Sequence, residues 1–252
     1  MEPPIFLKQI DERIPGFWND LQPLMKATDQ ILAAPADTEL RKAVQAQVEV
    51  AVEHFGGMLA ASANGFGLPA EAAARNLFDL VVGTLYLMKQ PSLLADFIDF
   101  GKLTFYRLMK NMNPKSPEYQ QAQARDLAIN DAEIKFLGAK FAKKNSWHGR
   151  PILQIAKDIG KDIEMEQLYK IVYKTASGIT HGSSYPILSR SESLEWAIGF
   201  HRHNWDRYVK ESPVLGYSML CQFYIEVFPL LQIADTANLD EMAKVCARLT
   251  ND

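Results

Sequence analysis

Ser177 and His181 form the tightest pairing of chemically capable side chains in the sequence. They stand four residues apart, so on a continued helix they share one face. A serine beside a histidine can act as a nucleophile with its base, and such a site also needs oxyanion donors. The alternative is that His181 closes a helix C-terminus, where Gly182 takes the left-handed cap position. Both interpretations remain open at this point.

A second candidate pair lies earlier in the chain, where Arg75 and Asp79 are again four residues apart on a predicted helix. One interpretation is a surface ion pair that contributes a few tenths of a kcal/mol. The other is a partly buried arginine that the aspartate holds and presents to an anion. Alanines and a Leu-Phe pair surround Arg75, so partial burial fits the sequence.

A basic run with interleaved aromatic residues extends from Lys135 to Arg150 and contains no acidic residue. Its aromatic members are Phe136, Phe141 and Trp147. One interpretation is a surface that follows phosphates and stacks bases, for which RNA or a nucleotide would be the ligand. The alternative is a solvated helix face with basic residues at its C-terminal end.

Composition restricts the class of protein. The 252 residues are 48% hydrophobic and 23% charged, with a net charge of −3, as in soluble globular proteins. Two cysteines and no signal-like N-terminus favour the cytoplasm. We expect no metal or cofactor, since zinc-site spacings and glycine-rich phosphate loops do not occur. The apolar segment 213–234 is expected to be a core helix rather than a membrane span.

Hydrophobic periodicity predicts an all-α protein, a bundle of about eight to ten helices in a single domain over residues 1–252. Apolar residues recur every three or four positions along predicted helices, and no alternating run or hairpin signal indicates a strand. Thr38 or Asp37 is expected to cap a helix, Pro69 to start the next, and Ser92 to cap a third. A long helix is expected from Glu118 to about Lys144, and apolar helices near the C-terminus.

Several motifs in order resemble a bacterial family of all-helical domains of uncharacterised function. The motifs are Ala74-Arg75-Asn76-Leu77-Phe78-Asp79, Trp147-His148-Gly149, Ile155-Ala156, Tyr169 and Tyr173, and Ser177-x-x-x-His181-Gly182-Ser183. The similarity covers about residues 50–190, and helices in 191–252 are expected to pack on that core. The last motif is also distantly similar to the nucleotide-binding HEPN domains, many of which are RNases with an Arg-x4–6-His motif. Here no arginine stands at those spacings before His181.

Three functional hypotheses follow. The first is a polar pocket that binds a ligand or partner, formed by Arg75, Asp79, Tyr173, Ser177 and His181, with Trp147, His148, Gly182 and Ser183 nearby. The second is an RNase of a bacterial defence or toxin system, in which His181 transfers protons and Arg75 stabilises the phosphate. The third is a structural module that forms a homodimer or binds a partner through its helical faces.

Overall fold

The computed structural model describes residues 5–113, 115–117, 119–120, 131–144, 146–159, 165–170 and 203–251. Within those ranges it contains ten α-helices, a 3-10 turn at Pro91–Leu93 and no strand, which confirms the all-α prediction. The helices, renumbered in chain order, are α1 (Ile5–Asp11), α2 (Phe17–Ala33), α3 (Glu39–Ala63), α4 (Gly67–Lys89), α5 (Leu94–Lys110), α6 (Asp131–Lys140), α7 (Ile152–Ile159), α8 (Met165–Leu168), α9 (His203–Leu231) and α10 (Ala237–Asn251).

Helix boundaries follow local chemistry at some points and depart from it at others. Thr38 caps α3, since its hydroxyl oxygen accepts a hydrogen bond from the Arg41 amide at 3.2 Å. Helix α4 begins at Gly67 rather than Pro69, so the proline lies within the first turn, where its missing N–H costs nothing. The Ser92 prediction was wrong, because α5 follows a 3-10 turn without a side-chain cap.

The second half of the chain departs further from the predicted boundaries. Helix α6 ends at Lys140, not Lys144, because the chain turns at Phe141 and buries that ring. Helix α9 is longer than predicted and continues through Pro213. The predicted helical residues 171–177 lie outside the described part of the chain, as do the side chains of Tyr173, Ser177, His181 and Ser183 and the turn at Gly182.

The main core forms where α3, α4 and α9 pack together. Val44 and Val48 of the predicted α3 stripe are fully buried, as are Leu77 and Phe78 of α4. Helix α2 joins this core through a 2.7 Å hydrogen bond between the buried hydroxyls of Thr28 and Tyr224. This packing fixes α4 on two sides, which matters because α4 carries the candidate site.

Helix α9 is also the apolar segment for which a membrane span was considered. Among the described residues, one stretch, Val209–Leu231, is long and apolar enough to cross a membrane, and 61% of its apolar window is buried inside the protein. A core helix is buried in this way. The length and apolar composition of a helix are by themselves weak evidence that it spans a membrane.

A smaller apolar cluster joins α5 to α6. Leu103, Leu137 and Phe141 are its buried members. At its edge the Lys140 ammonium lies 2.6 Å from a carboxylate oxygen of Asp96 and 2.8 Å from one of Asp99. These contacts hold the C-terminal end of α6 against α5, and so determine where the following loop begins.

Candidate functional site

A cleft of about 730 Å³ lies between α4 and the segment that joins α6 to α7. We call it the basic cleft. Its lining residues are Arg75, Asp79, Lys143, Lys144, Ser146, His148, Gly149, Arg150, Pro151 and Ile152.

Helix α4 supplies one wall of the basic cleft. Arg75 and Asp79 are one helical turn apart, and the Arg75 Nε lies 3.9 Å from a carboxylate oxygen of Asp79. The Arg75 side chain is only 16% exposed, whereas that of Asp79 is 38% exposed. Arg75 is therefore partly buried, as the second interpretation of the sequence required, and the ion pair is long.

Glu71 precedes Arg75 by another turn and so shares this face of α4. It is buried, and its carboxylate accepts a 3.1 Å hydrogen bond from the buried hydroxyl of Ser212 on α9. Sequence reasoning missed Glu71, although its four-residue spacing before Arg75 was a usable signal. The bond to Ser212 joins this face of α4 to α9.

The opposite wall is the loop that runs from the end of α6 to the start of α7, and Trp147 anchors it. The indole packs between Tyr86 of α4 and Phe97 of α5, with ring centroids 6.2 and 5.4 Å away. Trp147 is thus a supporting side chain rather than an open stacking platform. It places the neighbouring His148 at the cleft.

Arg150 fixes the far end of the same loop. Its guanidinium donates a 3.1 Å hydrogen bond to the Tyr86 hydroxyl and lies 2.6 Å from a carboxylate oxygen of Asp158 on α7. These contacts raise the pKa of Arg150, with the Tyr86 hydrogen bond first among the causes. The side chain keeps its charge at any physiological pH, and its position at the cleft is well defined.

The tautomer of His148 follows from its hydrogen bonds. The Arg150 amide donates to the His148 Nδ1 at 3.2 Å, so that nitrogen accepts and the neutral ring carries its proton on Nε2. The Ser146 hydroxyl lies 3.0 Å from the same nitrogen and can donate to it. Burial lowers the pKa of His148, which favours the neutral ring at pH 7. His148 is therefore arranged as an N–H donor.

Gly149 lets the loop turn sharply beside these groups. Its φ is +64°, a left-handed conformation that favours glycine. A Cβ there would lie 3.1 Å from the Lys144 side chain. The Trp-His-Gly motif thus has a geometric reason: the glycine allows the turn that places His148 and Lys144 at one cleft.

Cationic side chains outnumber acidic ones among the described residues that line the basic cleft. Arg75, Lys143, Lys144 and Arg150 line it, and among the described lining residues Asp79 is the one acid. Burial raises the pKa of Asp79 to about 6, against the lowering effect of Arg75. Near neutral pH this carboxyl can exchange a proton, so the local charge depends on pH.

The two lysines differ in how they are held. Lys144 lies 3.8 Å from a carboxylate oxygen of Asp96, a long contact. Within the described residues Lys143 forms no ion pair or hydrogen bond, and its side chain is exposed. Lys143 is therefore the cation most available to a ligand.

The structure places the predicted site residues in two groups. Arg75, Asp79 and His148 line one cleft, and Trp147 supports it from behind. The other predicted residues, Tyr173, Ser177, His181, Gly182 and Ser183, lie outside the described residues, so the meeting of Arg75 with His181 stays a prediction. Ser146 was missed, since a lone serine gives no signal in a sequence. The basic run had pointed to Lys143, Lys144 and Arg150.

The basic run itself divides into two parts in three dimensions. Phe141 is buried in the α5–α6 cluster, and Lys140 is bound by two aspartates. Phe136 remains exposed on α6. Phe136, Phe141 and Trp147 therefore do not form successive stacking platforms, whereas the end of the run lines the cleft.

Comparison with models of protein families gives a match over much of the chain. Residues 48–193 match the model of a family of unknown function (DUF5677), which is more than half of the chain and includes both walls of the basic cleft. No curated protein and no solved structure matches.

Proposed function

We propose that this chain, which belongs to the family of unknown function DUF5677, binds a phosphate-bearing ligand in the basic cleft. One observation carries the proposal: four cationic side chains from two separate segments of the chain line one cleft. Among its described lining residues there is one acid, Asp79, whose raised pKa lets it exchange a proton near neutral pH.

The types of donor favour phosphate over a simple carboxylate. A guanidinium offers a planar fork that matches phosphate oxygens, and a lysine adds a mobile point charge. The basic cleft holds two residues of each kind. The Nε2–H of His148 adds a neutral donor whose opposite ring nitrogen is already engaged. A dianionic phosphate could use all three kinds of donor at once.

The size and shape of the cleft favour a compact ligand. Ligand sites commonly enclose about 300–1,000 Å³, and this one measures about 730 Å³. Phe141 is buried, and Trp147 is packed between two other rings. Neither ring is therefore free to stack on the bases of a long single strand. A phosphate or a mononucleotide fits this arrangement better than an extended strand.

Lys143→Ala gives the cleanest test, with Lys135→Ala as its matched control. Both lysines are exposed and belong to the same basic run, but only Lys143 lines the cleft. We expect calorimetry with inorganic phosphate, a mononucleotide and a short RNA to show binding in at least the first two. Lys143→Ala should weaken it by about three- to tenfold, and Lys135→Ala by less than about twofold.

Two results would remove the proposal. One is that none of the three ligands binds at low salt, where electrostatic attraction is strongest. The other is that both lysine variants lose affinity equally, since that would indicate a diffuse surface effect. Tighter binding of RNA than of a mononucleotide would show that the phosphate belongs to a chain.

A second candidate function is cleavage of RNA, and the position of Asp79 favours it. A carboxyl with a pKa of about 6 lies beside the cations that would hold a phosphate. In its ionised form it could take the proton of a ribose 2′-hydroxyl while that oxygen attacks phosphorus. The 5′-oxygen would then leave with a proton from a general acid, the role assigned above to His181.

The cleavage hypothesis predicts a rate that rises as the pH increases through about 6, because the base must be ionised. RNA incubated with the wild-type protein, Asp79→Asn and His181→Ala would test it. We expect both variants to lose about 100-fold or more of the activity. If the wild type binds RNA without cutting it, cleavage is excluded and phosphate binding remains.

A further inference from the structure

The two cysteines of the chain lie on helices that pack against each other, α9 and α10, although 25 positions separate them in sequence. We propose that Cys221 and Cys246 form a peroxide-oxidisable pair, in which Cys246 reacts first and the product is a disulfide that joins α9 to α10. Both thiols are free in the structure. The pair is separate from the basic cleft and does not depend on the function proposed for it.

Side-chain geometry places the pair. The Cys246 Sγ lies 3.2 Å from the Ser218 Oγ. Ser218 stands about one helical turn before Cys221 on α9, so the two share a face. Cys246 approaches this face from α10, which packs on α9.

The two cysteines differ in ways that assign their roles. Cys221 is buried, at 3% exposure, whereas Cys246 is half-buried and can be reached by a small oxidant. The neighbouring Cys221 thiol lowers the pKa of Cys246. The pKa of Cys221 is raised correspondingly. Since the thiolate is the nucleophile, Cys246 attacks the oxidant.

The reaction balances with hydrogen peroxide as the oxidant. The Cys246 thiolate attacks one peroxide oxygen, the O–O bond breaks, and hydroxide leaves and takes up a proton to become water. Cys246 is then a sulfenic acid. The Cys221 sulfur attacks the Cys246 sulfur, its proton leaves with the hydroxyl group as a second water, and the S–S bond forms. Two thiols and one peroxide thus give one disulfide and two waters.

The disulfide would restrain the C-terminal part of the core. Helix α10 packs on α2 as well as on α9, and the new bond would close a loop of about 25 residues. Restricting such a loop in the unfolded chain predicts a rise of roughly 5–10 °C in the melting temperature. Reduction with dithiothreitol should reverse this rise.

The experiment treats the reduced full chain with hydrogen peroxide and follows free thiols, intact mass and melting temperature. For the wild type we expect loss of both thiols, loss of two hydrogens in mass, and a monomeric species on a non-reducing gel. Cys221→Ala should stop at a sulfenic acid on Cys246 that dimedone traps. In Cys246→Ala the remaining Cys221 should react more slowly by about tenfold or more.

Three outcomes would overturn the proposal. The first is equal rates of thiol loss in the wild type and Cys246→Ala. The second is conversion of Cys246 to sulfinic acid while Cys221 remains a thiol. The third is a disulfide that forms only between chains. Circular dichroism of both alanine variants before treatment would confirm that each is folded, and wild-type mass and thiol counts decide the question even if one is not.

Discussion

The ionisation of Asp79 should make folding less favourable as the pH rises, and Asp79→Asn should remove that effect. Burial raises the pKa of Asp79 from 3.8 to about 6. Between these two pH values the folded chain keeps a proton that the unfolded chain has released. The free energy of unfolding therefore falls as the pH rises through this window, and the loss is complete at about pH 7.

The size of the effect follows from the pKa difference and from solvent exposure. A difference of about 2 in pKa corresponds to roughly 3 kcal/mol. Because 38% of the Asp79 side chain is exposed, water screens much of this, and we expect the wild type to lose about 1 kcal/mol between pH 4 and pH 7. An asparagine side chain carries no charge at any of these pH values, so the Asp79→Asn variant should lack this component.

Urea unfolding at several pH values from 4 to 8 measures the effect. The useful quantity is the difference in the free energy of unfolding between wild type and Asp79→Asn at each pH. Asp29→Asn, at an exposed position on α2, is the control. Arg75→Met adds a second check, since Arg75 lowers the pKa of Asp79, and its removal should move the loss of stability to higher pH. Parallel profiles for wild type and Asp79→Asn would refute the reasoning.

Three further predictions concern the core and the α5–α6 edge. Tyr224→Phe should lower the free energy of unfolding by about 1–2 kcal/mol, because it removes the buried 2.7 Å hydrogen bond to Thr28; chemical denaturation measures this, and no change would contradict it. Gly216→Ala should lower the free energy of unfolding by about 1–3 kcal/mol, since its Cβ would lie 2.5 Å from a side-chain atom of α3. Gly57→Ala, which has open space around it, should raise the free energy of unfolding by about 0.5–1 kcal/mol. A change of the same sign in both variants would contradict this prediction. Lys140→Met should lower the melting temperature, because it removes an ammonium that lies 2.6 and 2.8 Å from two carboxylate oxygens, and the loss should be smaller in high salt, which screens such contacts; an equal loss at low and high salt would count against this bridge.

Local patterns predicted the helices well where a single face is buried against the core. The spacing of Val44 and Val48 located α3, and residue type restricted its cap to Thr38 or Asp37, of which Thr38 is the cap in the structure. Ser92 failed as a cap, because the backbone formed a 3-10 turn there. A serine marks helix starts and turns alike, so its type does not separate the two.

The candidate site was predictable only in part. The four-residue spacing of Arg75 and Asp79 identified one wall, and the basic run identified residues of the other. That the two walls meet depends on where Trp147 packs against α4 and α5, a long-range contact that periodicity does not encode. The placement of Cys246 beside the face of α9 that carries Cys221 is of the same kind, since it depends on how α10 lies on α9.

The packing of Trp147 also provides an internal optical reporter. Its indole lies edge-on to the His148 ring, with centroids 5.1 Å apart, and His148 lines the basic cleft. Indole fluorescence responds to the charge and polarity of neighbouring groups. Occupancy could therefore be followed by emission from the unlabelled protein, and replacing Trp147 with phenylalanine would identify its share of the signal among the four tryptophans.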